Sequence, residues 1–336
     1  MMRQRFSGWT SRLAITLVIA LAAAHAQPGR AAAQERPKLD FAGSVTWLGM
    51  VPVLVALDKG YFAEAGLDVN LQVVLNSSDR VRALTAGSVA FSNLGRTTVI
   101  SEMARGNTSF YYFANIDDSP GSEGCWARPG VKSFGDLKGK KVAANTSAEI
   151  TMAGLLAKEG LKPSDISYVN LPPNEMQLAL ARGDVDAACI WQPILDGLKK
   201  AVPDGVLLGT DKDTEMYARF GTMSAPDIMI ISRKLVEEDP ASAAKLAGAV
   251  MKGADFVNAH PEDAAETVAH YFRQPASTVL AGIKGFTYYG SKDWPDHMRK
   301  HSAQMDYLAG WLAQNGKIPA KPDVKFWENT SFVPKP

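Results

Sequence analysis

Catalytic signatures are missing from this 336-residue sequence. It has no Gly-x-Ser-x-Gly elbow, no His-Glu-x-x-His pair and no Gly-x-x-x-x-Gly-Lys-Ser/Thr loop, so nothing points to a serine hydrolase, a zincin or a P-loop enzyme. Histidine is scarce: His25, His260, His270, His297 and His301 are the whole set. None falls in an early strand–helix loop. His297 and His301 stand at i, i+4, a spacing that can hold a metal, but with no third ligand in view they read as solvated helix residues. Cysteine is scarcer still. Cys125 and Cys189 are too few for a zinc cluster or a disulfide framework. They either pair, as an exporting compartment permits, or serve as small buried apolar residues. Neither sign of charge dominates: the formal net charge is +1, with no basic patch or acidic tail, so nucleic acid is not implied as a partner. No Gly/Ser linker or single-residue run appears, which confines expected disorder to the termini.

What is present is ordinary globular composition, 46% hydrophobic and 21% charged, enough for one large domain or two lobes. The first 26 residues read separately. Arg3, Arg5 and Arg12 precede an apolar run, Leu13–Ala24, too short to span a bilayer comfortably. Ala24-His25-Ala26 fits a small-x-small cleavage site, and Ala31-Ala32-Ala33 is a second candidate. This is the pattern of an export signal.

After that leader, strands and helices alternate. Leu39–Trp47 reads as a strand, Val53–Ala65 as a helix stopped by Gly66, and Leu67–Leu75 as a second strand. Ser78 is placed to cap a helix over Asp79–Ala86, which ends at Gly87 before a strand at Val89–Asn93. The pattern restarts near Cys125. There Asn174 is placed to cap a helix over Glu175–Arg182, Gly183 stops it, and Val185–Ile190 is a buried strand. Gly87 and Gly183 stand 96 positions apart, as do Ser78 and Asn174. Stop, cap and strand in one register predict a duplicated frame of two lobes. The expected fold class is α/β, two lobes each with a mainly parallel sheet flanked by helices, and a helical C-terminal region. The expected boundaries are 1–26 for the signal, 39–118 plus about 228–270 for lobe 1, 122–222 for lobe 2 and 271–336 for C-terminal helices.

In open parallel sheets, ligands bind outside the carboxyl ends of the strands. That rule selects six loops: Thr46–Leu48, Asn76–Ser78, Asn93–Thr97, Asn145–Glu149, Pro172–Asn174 and Trp191–Pro193. Their chemistry suits an anion. Ser77, Ser78, Thr146 and Ser147 sit at expected helix N-termini, where free N–H groups and hydroxyls converge. Arg96 is either a charge-assisted fork for a carboxylate or sulfonate, or a surface salt-bridging residue. Trp47 and Trp191 either close on the ligand or pack in the core. Asp227 can hold a cation on the ligand, and Glu149 can do the same or favour a helix N-terminus. The candidate ligand residues are therefore Thr46, Trp47, Asn76, Ser77, Ser78, Asn93, Gly95, Arg96, Thr97, Asn145, Thr146, Ser147, Glu149, Asn174, Trp191, Gln192 and Asp227. No catalytic residue, metal or cofactor is implied.

Several stretches carry a family resemblance. They are Leu57-Asp58-Lys59-Gly60-Tyr61-Phe62-Ala63-Glu64-Ala65-Gly66, Asn93-Leu94-Gly95, Ser133-Phe134-Gly135-Asp136-Leu137-Lys138-Gly139-Lys140-Lys141-Val142, and Ala181-Arg182-Gly183-Asp184-Val185-Asp186 with Trp191-Gln192-Pro193. They resemble the solute-binding proteins of ABC importers for taurine and aliphatic sulfonates, in the wider group that also handles nitrate and pyrimidine precursors. The resemblance implies a two-lobe periplasmic binding fold, a monomer that closes on one small solute and delivers it to an inner-membrane permease. It assigns the anion to Ser77, Ser78, Thr146 and Ser147 and the amine to Asp227. Nitrate, a carboxylate, a pyrimidine precursor, or a pyrimidine-synthase-like enzyme on the same fold are the alternatives. Presentation of the ligand to a sensor in place of a permease is another.

Overall fold

The computed structural model describes residues 36–335, apart from Thr146 and Ala225 and the side chains of Pro295 and Asp296. The export-signal reading and Thr146 therefore lie outside the described residues. The chain runs β1 (Lys38–Gly43), α1 (Val51–Asp58), α2 (Tyr61–Glu64), β2 (Asp68–Val73), α3 (Ser77–Thr85), β3 (Phe91–Gly95), α4 (Arg96–Ala104) and β4 (Phe110–Ala114). A short β5 (Asp117–Asp118) leads across to β6 (Glu123–Ala127), β7 (Lys141–Ala144), α5 (Glu149–Lys158), β8 (Ser167–Asn170), α6 (Pro173–Arg182), β9 (Ala187–Trp191), α7 (Ile194–Ala201), β10 (Val206–Thr210) and α8 (Glu215–Phe220). The return is β11 (Asp227–Ser232), followed by α9 (Arg233–Glu238), α10 (Pro240–Ala259), α11 (Pro261–Phe272), α12 (Ala276–Ile283), β12 (Thr287–Tyr288) and α13 (Trp294–Gln314).

Two five-stranded sheets result, ordered β2-β1-β3-β11-β4 and β10-β6-β9-β7-β8. Each has a parallel core: β1 pairs β2 and β3, and β7 pairs β8 and β9. Each also takes in one antiparallel strand beside that core, β11 against β3 and β6 against β9. Reversing the second order gives the same plan twice. β3 and β9 begin and end 96 residues apart, at Phe91 and Ala187, then Gly95 and Trp191. Gly87 and Gly183 adopt φ of 76° and 81°, the left-handed conformation that ends a helix without a Cβ clash.

The caps do not repeat as the sequence pattern predicts. Asn76, not Ser78, caps α3, its Oδ1 accepting from Ser78 N at 2.9 Å. Asn174 lies inside the first turn of α6, whose capping position is Pro172 and bears no side-chain hydrogen bond. Nor is the first helix continuous, because Gly60 turns to φ 73° and separates α1 from α2.

Buried apolar side chains of the first sheet share one core with α10–α13, including Leu246, Val250, Met305 and Leu308. The second sheet keeps two smaller cores, one on each face. Cys125 and Cys189, directly opposite on β6 and β9, are joined as a disulfide. Among the described residues no helix is long and apolar enough to cross a membrane.

Candidate functional site

The two sheets present their strand ends to one another, and the loops there meet. Trp47, after β1, reaches Trp191, at the end of β9, with ring centroids 6.2 Å apart at 80°. Phe286 also packs against Trp47, with ring centroids 5.0 Å apart. Beneath them, Asn93 Nδ2 donates to Gly49 O at 3.2 Å and ties β3 to the turn after Trp47. Gly95 pairs in register with Asp227. A Cβ at Gly95 would sit 3.3 Å from Ser147 Oγ and 3.8 Å from Asp227 Oδ1, so residues of both sheets converge here. A Cβ at Gly49 would fall 2.3 Å from Trp47 Nε1 and 2.4 Å from Asp117 Oδ2. Only glycine leaves that approach open.

Polar atoms around this point lack well-formed hydrogen bonds. Trp47 Nε1, Trp191 Nε1, Asn93 Oδ1 and both carboxylate oxygens of Asp117 are buried without a well-formed hydrogen bond. An unmet buried polar group costs about 1–3 kcal/mol, so such a concentration of donors and acceptors makes this the candidate site. Asp117 is 0% exposed. Burial, then the charges of Asp227 and Asp118, push its pKa well above the usual carboxylate range, while the Trp47 N–H and Arg96 pull it back. Asp227, partly exposed at the start of β11, is raised to about 6 by burial, with Arg80 and Arg96 opposing.

The structure brings together Trp47, Asn93, Gly95, Ser147, Trp191 and Asp227 from the sequence-derived set. It uses others differently. Arg96 is 0% exposed, and each of its donor nitrogens is taken by protein: Nε by Pro226 O at 3.0 Å, Nη1 by Gln304 Oε1 at 2.8 Å, Nη2 by Asn115 Oδ1 at 2.9 Å. It also contacts His301 Nδ1 at 2.5 Å. It is neither a free fork nor a surface residue: the end of β3 turns it into the crossing region behind the cleft. His301 is correspondingly buried and its pKa held well below the usual range by burial and by Arg96, contrary to the solvated reading of the histidine pair.

The remaining hydroxyl and amide residues have local duties. Thr46, exposed, shares a 2.7 Å bond with Ser44. Ser77 Oγ accepts from the buried Arg80 at 2.9 Å, Ser78 is exposed, and Asn145 Oδ1 accepts from Ser147 N at 3.1 Å. Gln192 turns to α7, where Nε2 donates to Asp196 at 3.0 Å. Asn174 is exposed. Thr97 and Glu149 line a separate cavity of about 100 Å³ with Ser101, Trp311 and Lys317, and there Glu149 pairs with Lys317.

Gly49, Asp117 and Phe286 escaped the sequence reading. The available signal was Asp117-Asp118 in the crossing between the two repeats, where the chain must pass the cleft. The loop rule for parallel strands does not reach a crossing.

Two repeated α/β sheets, joined by crossings and facing over an aromatic cleft, make this a periplasmic binding protein fold. The chain belongs to the NMT1/THI5-like family, whose profile matches residues 47–264. It is 29% identical over 221 residues to a putative binding protein of Brucella abortus (strain 2308), a match spanning 65% of this chain and 66% of that relative. It is 25% identical over 280 residues to the taurine-binding periplasmic protein of Escherichia coli (strain K12), covering 80% of this chain and 85% of that one. It is 27% identical over 226 residues to 4-amino-5-hydroxymethyl-2-methylpyrimidine phosphate synthase of Candida albicans (strain WO-1), covering 64% and 65%. Among solved structures, the alkanesulfonate-binding protein SsuA of Xanthomonas axonopodis pv. citri, bound to MOPS, superposes with a TM-score of 0.72 at 17% identity, covering 88% and 99%.

Proposed function

We propose that this protein is the exported solute-binding component of an ABC importer, capturing a small organic anion, taurine or another aliphatic sulfonate, between its two sheets. The observation that carries the reading is the meeting of Trp47 and Trp191, one from each sheet, with neither indole N–H in a well-formed hydrogen bond. With Ser147 Oγ they supply donors for anionic oxygens, and their faces shield the apolar stem of the solute. Ligand contacts to both sheets favour the closed arrangement over an open one, which is how such a cleft commits to its solute. Delivery would be to an inner-membrane permease, by a monomer acting in the periplasm. The relatives named as binding proteins support a receptor over a synthase.

Asp117 and Asp227 favour a second reading, a nitrogenous ring held between the indoles. A thermal-shift panel of the mature protein separates the two. Binding to the native state alone raises the melting temperature with ligand concentration. Taurine and alkanesulfonates are expected to raise it, and nitrate and simple carboxylates to raise it less. Stabilisation by pyrimidines alone would replace the sulfonate reading with the second.

A further inference from the structure

We infer that Lys317, just past the end of α13, is a positioning residue for solute capture: its ammonium reaches from the body of the first sheet to that of the second and ties the two in the closed arrangement. This rests on the cleft of the proposed function opening and closing on its solute. The end of α13 fixes the backbone there. Gly316 turns to φ 65°, its N–H returns to Ala313 O at 3.1 Å and the Lys317 N–H to Leu312 O at 2.9 Å, the paired bonds of a glycine helix stop. Leu312 and Ile318, on either side of Lys317, are buried in the core that the first sheet shares with α10–α13. The side chain goes the other way. Its Nζ pairs with Glu149, the first residue of α5, and stands 5.8 Å from the ring centre of Tyr168 on β8, so it reaches two elements of the second sheet's body.

The pair lies on the seam that must part when the cleft opens. Glu149 follows Ser147 by two positions, and Ser147 Oγ stands 3.3 Å from where a Cβ of Gly95 would be. An opening that separates Ser147 from Gly95 therefore carries Glu149 away from Lys317. Beside the pair the seam is loosely filled. A cavity of about 100 Å³ lies between Thr97 and Ser101 on α4 and Ile150 on α5, and the buried Thr97 hydroxyl makes no hydrogen bond across it. Among the described residues, Lys158 pairs with Asp213 within the second body, and Lys252 with Glu64 and Lys284 with Glu262 within the first, whereas Lys317 and Glu149 pair between the two. The Glu149 side chain is 12% exposed and that of Lys317 36%, so water and salt screen the pair only in part. A contact made in the closed form alone shifts the equilibrium toward closure, and the apparent affinity for the solute follows the closed fraction.

The test places spin labels at Ala86→Cys and Arg182→Cys, exposed positions at the ends of α3 and α6 away from the cleft, and measures their separation by double electron–electron resonance in the full mature protein without solute. Cys125 and Cys189 are bonded to each other, which keeps the labelling specific. Lys317→Met is expected to lower the ratio of closed to open separations about two- to fivefold, the size of effect of a part-exposed ion pair. Sodium chloride at about 0.5 M should do the same to the native protein and nothing further to the variant. Lys317→Arg should keep the native ratio, and Lys317→Glu combined with Glu149→Lys should recover most of it. Taurine should dissociate faster from Lys317→Met by the same factor. An unchanged ratio in Lys317→Met overturns the inference, as does a native ratio indifferent to salt. A shift that the charge exchange fails to reverse assigns the effect to altered packing of α13 and overturns it too. So does taurine that leaves no faster from a variant whose ratio has fallen. The separations are read without a solute, so a protein that binds neither taurine nor any alkanesulfonate loses the proposed function, while this inference stands or falls on the distances.

Discussion

The ends of β3 and β9 occupy equivalent places in the two repeats and do opposite things. β3 reads Phe91-Ser92-Asn93-Leu94-Gly95 and runs straight into Arg96, which turns inward and is consumed by protein acceptors. β9 reads Ala187-Ala188-Cys189-Ile190-Trp191 and runs into Gln192 and a cis Pro193, with Trp191 turned outward over the cleft. Their middles differ as well. Ser92 and Asn93 hold β3 to neighbouring chain by hydrogen bonds to Ala42 O and Gly49 O, whereas Cys189 holds β9 to β6 covalently. One frame thus has two ways of being fastened. The hydrogen-bonded repeat presents backbone and a small polar floor, and the cross-linked repeat presents an aromatic wall.

The sharpest way to break this comparison is at Arg96. Arg96→Ala leaves His301, Gln304, Asn115 and the nearby acids without their buried partner, and removing one side of such an arrangement costs about 3–5 kcal/mol. Urea unfolding of the variant measures it. A loss under about 1 kcal/mol would return Arg96 to a peripheral role. Cys125→Ala with Cys189→Ala comes next. The bridge closes a separation of 64 residues, and its removal is expected to cost about 2–4 kcal/mol. Reduction of the native protein should lower its unfolding midpoint in the same direction.

A pH effect of about 1–3 kcal/mol sharpens the contrast further. Glu123 is raised from 4.5 to about 8, by burial and then Asp211, and Asp211 from 3.8 to about 7, by burial. Between the ordinary and the raised values the folded chain holds protons that the unfolded chain has released. This stability is complete below about pH 4 and is lost as pH rises through 7 to 8. Melting at pH 5 should therefore exceed melting at pH 8, and Glu123→Gln should flatten the difference. The smallest stability effect belongs to Trp191→Ala, whose side chain is only half-buried. It should melt close to the native protein yet bind the solute about tenfold or more weakly, as expected for an aromatic anchor. A titration showing unchanged affinity would remove Trp191 from the site.

Much of this plan was legible in one dimension. Alternating strand and helix patterns, glycine stops and a 96-residue repeat are local properties, set by side-chain period and by the φ angles open to glycine. They determined the α/β class and the duplication, placed β3 and β9 to within two residues at each end, and drew attention to Trp47, Asn93, Gly95, Ser147, Trp191 and Asp227. Which of those loops would meet, and which side chains would turn away, was decided only in three dimensions. Arg96 meets His301 across 205 residues of sequence, and Asp117 meets Trp47 through a crossing that no strand-end rule selects. Burial, charge and pairing depend on neighbours that are distant in the chain, so the same arginine that reads as an anion fork in its loop becomes a structural tie once α13 and both crossings close over it.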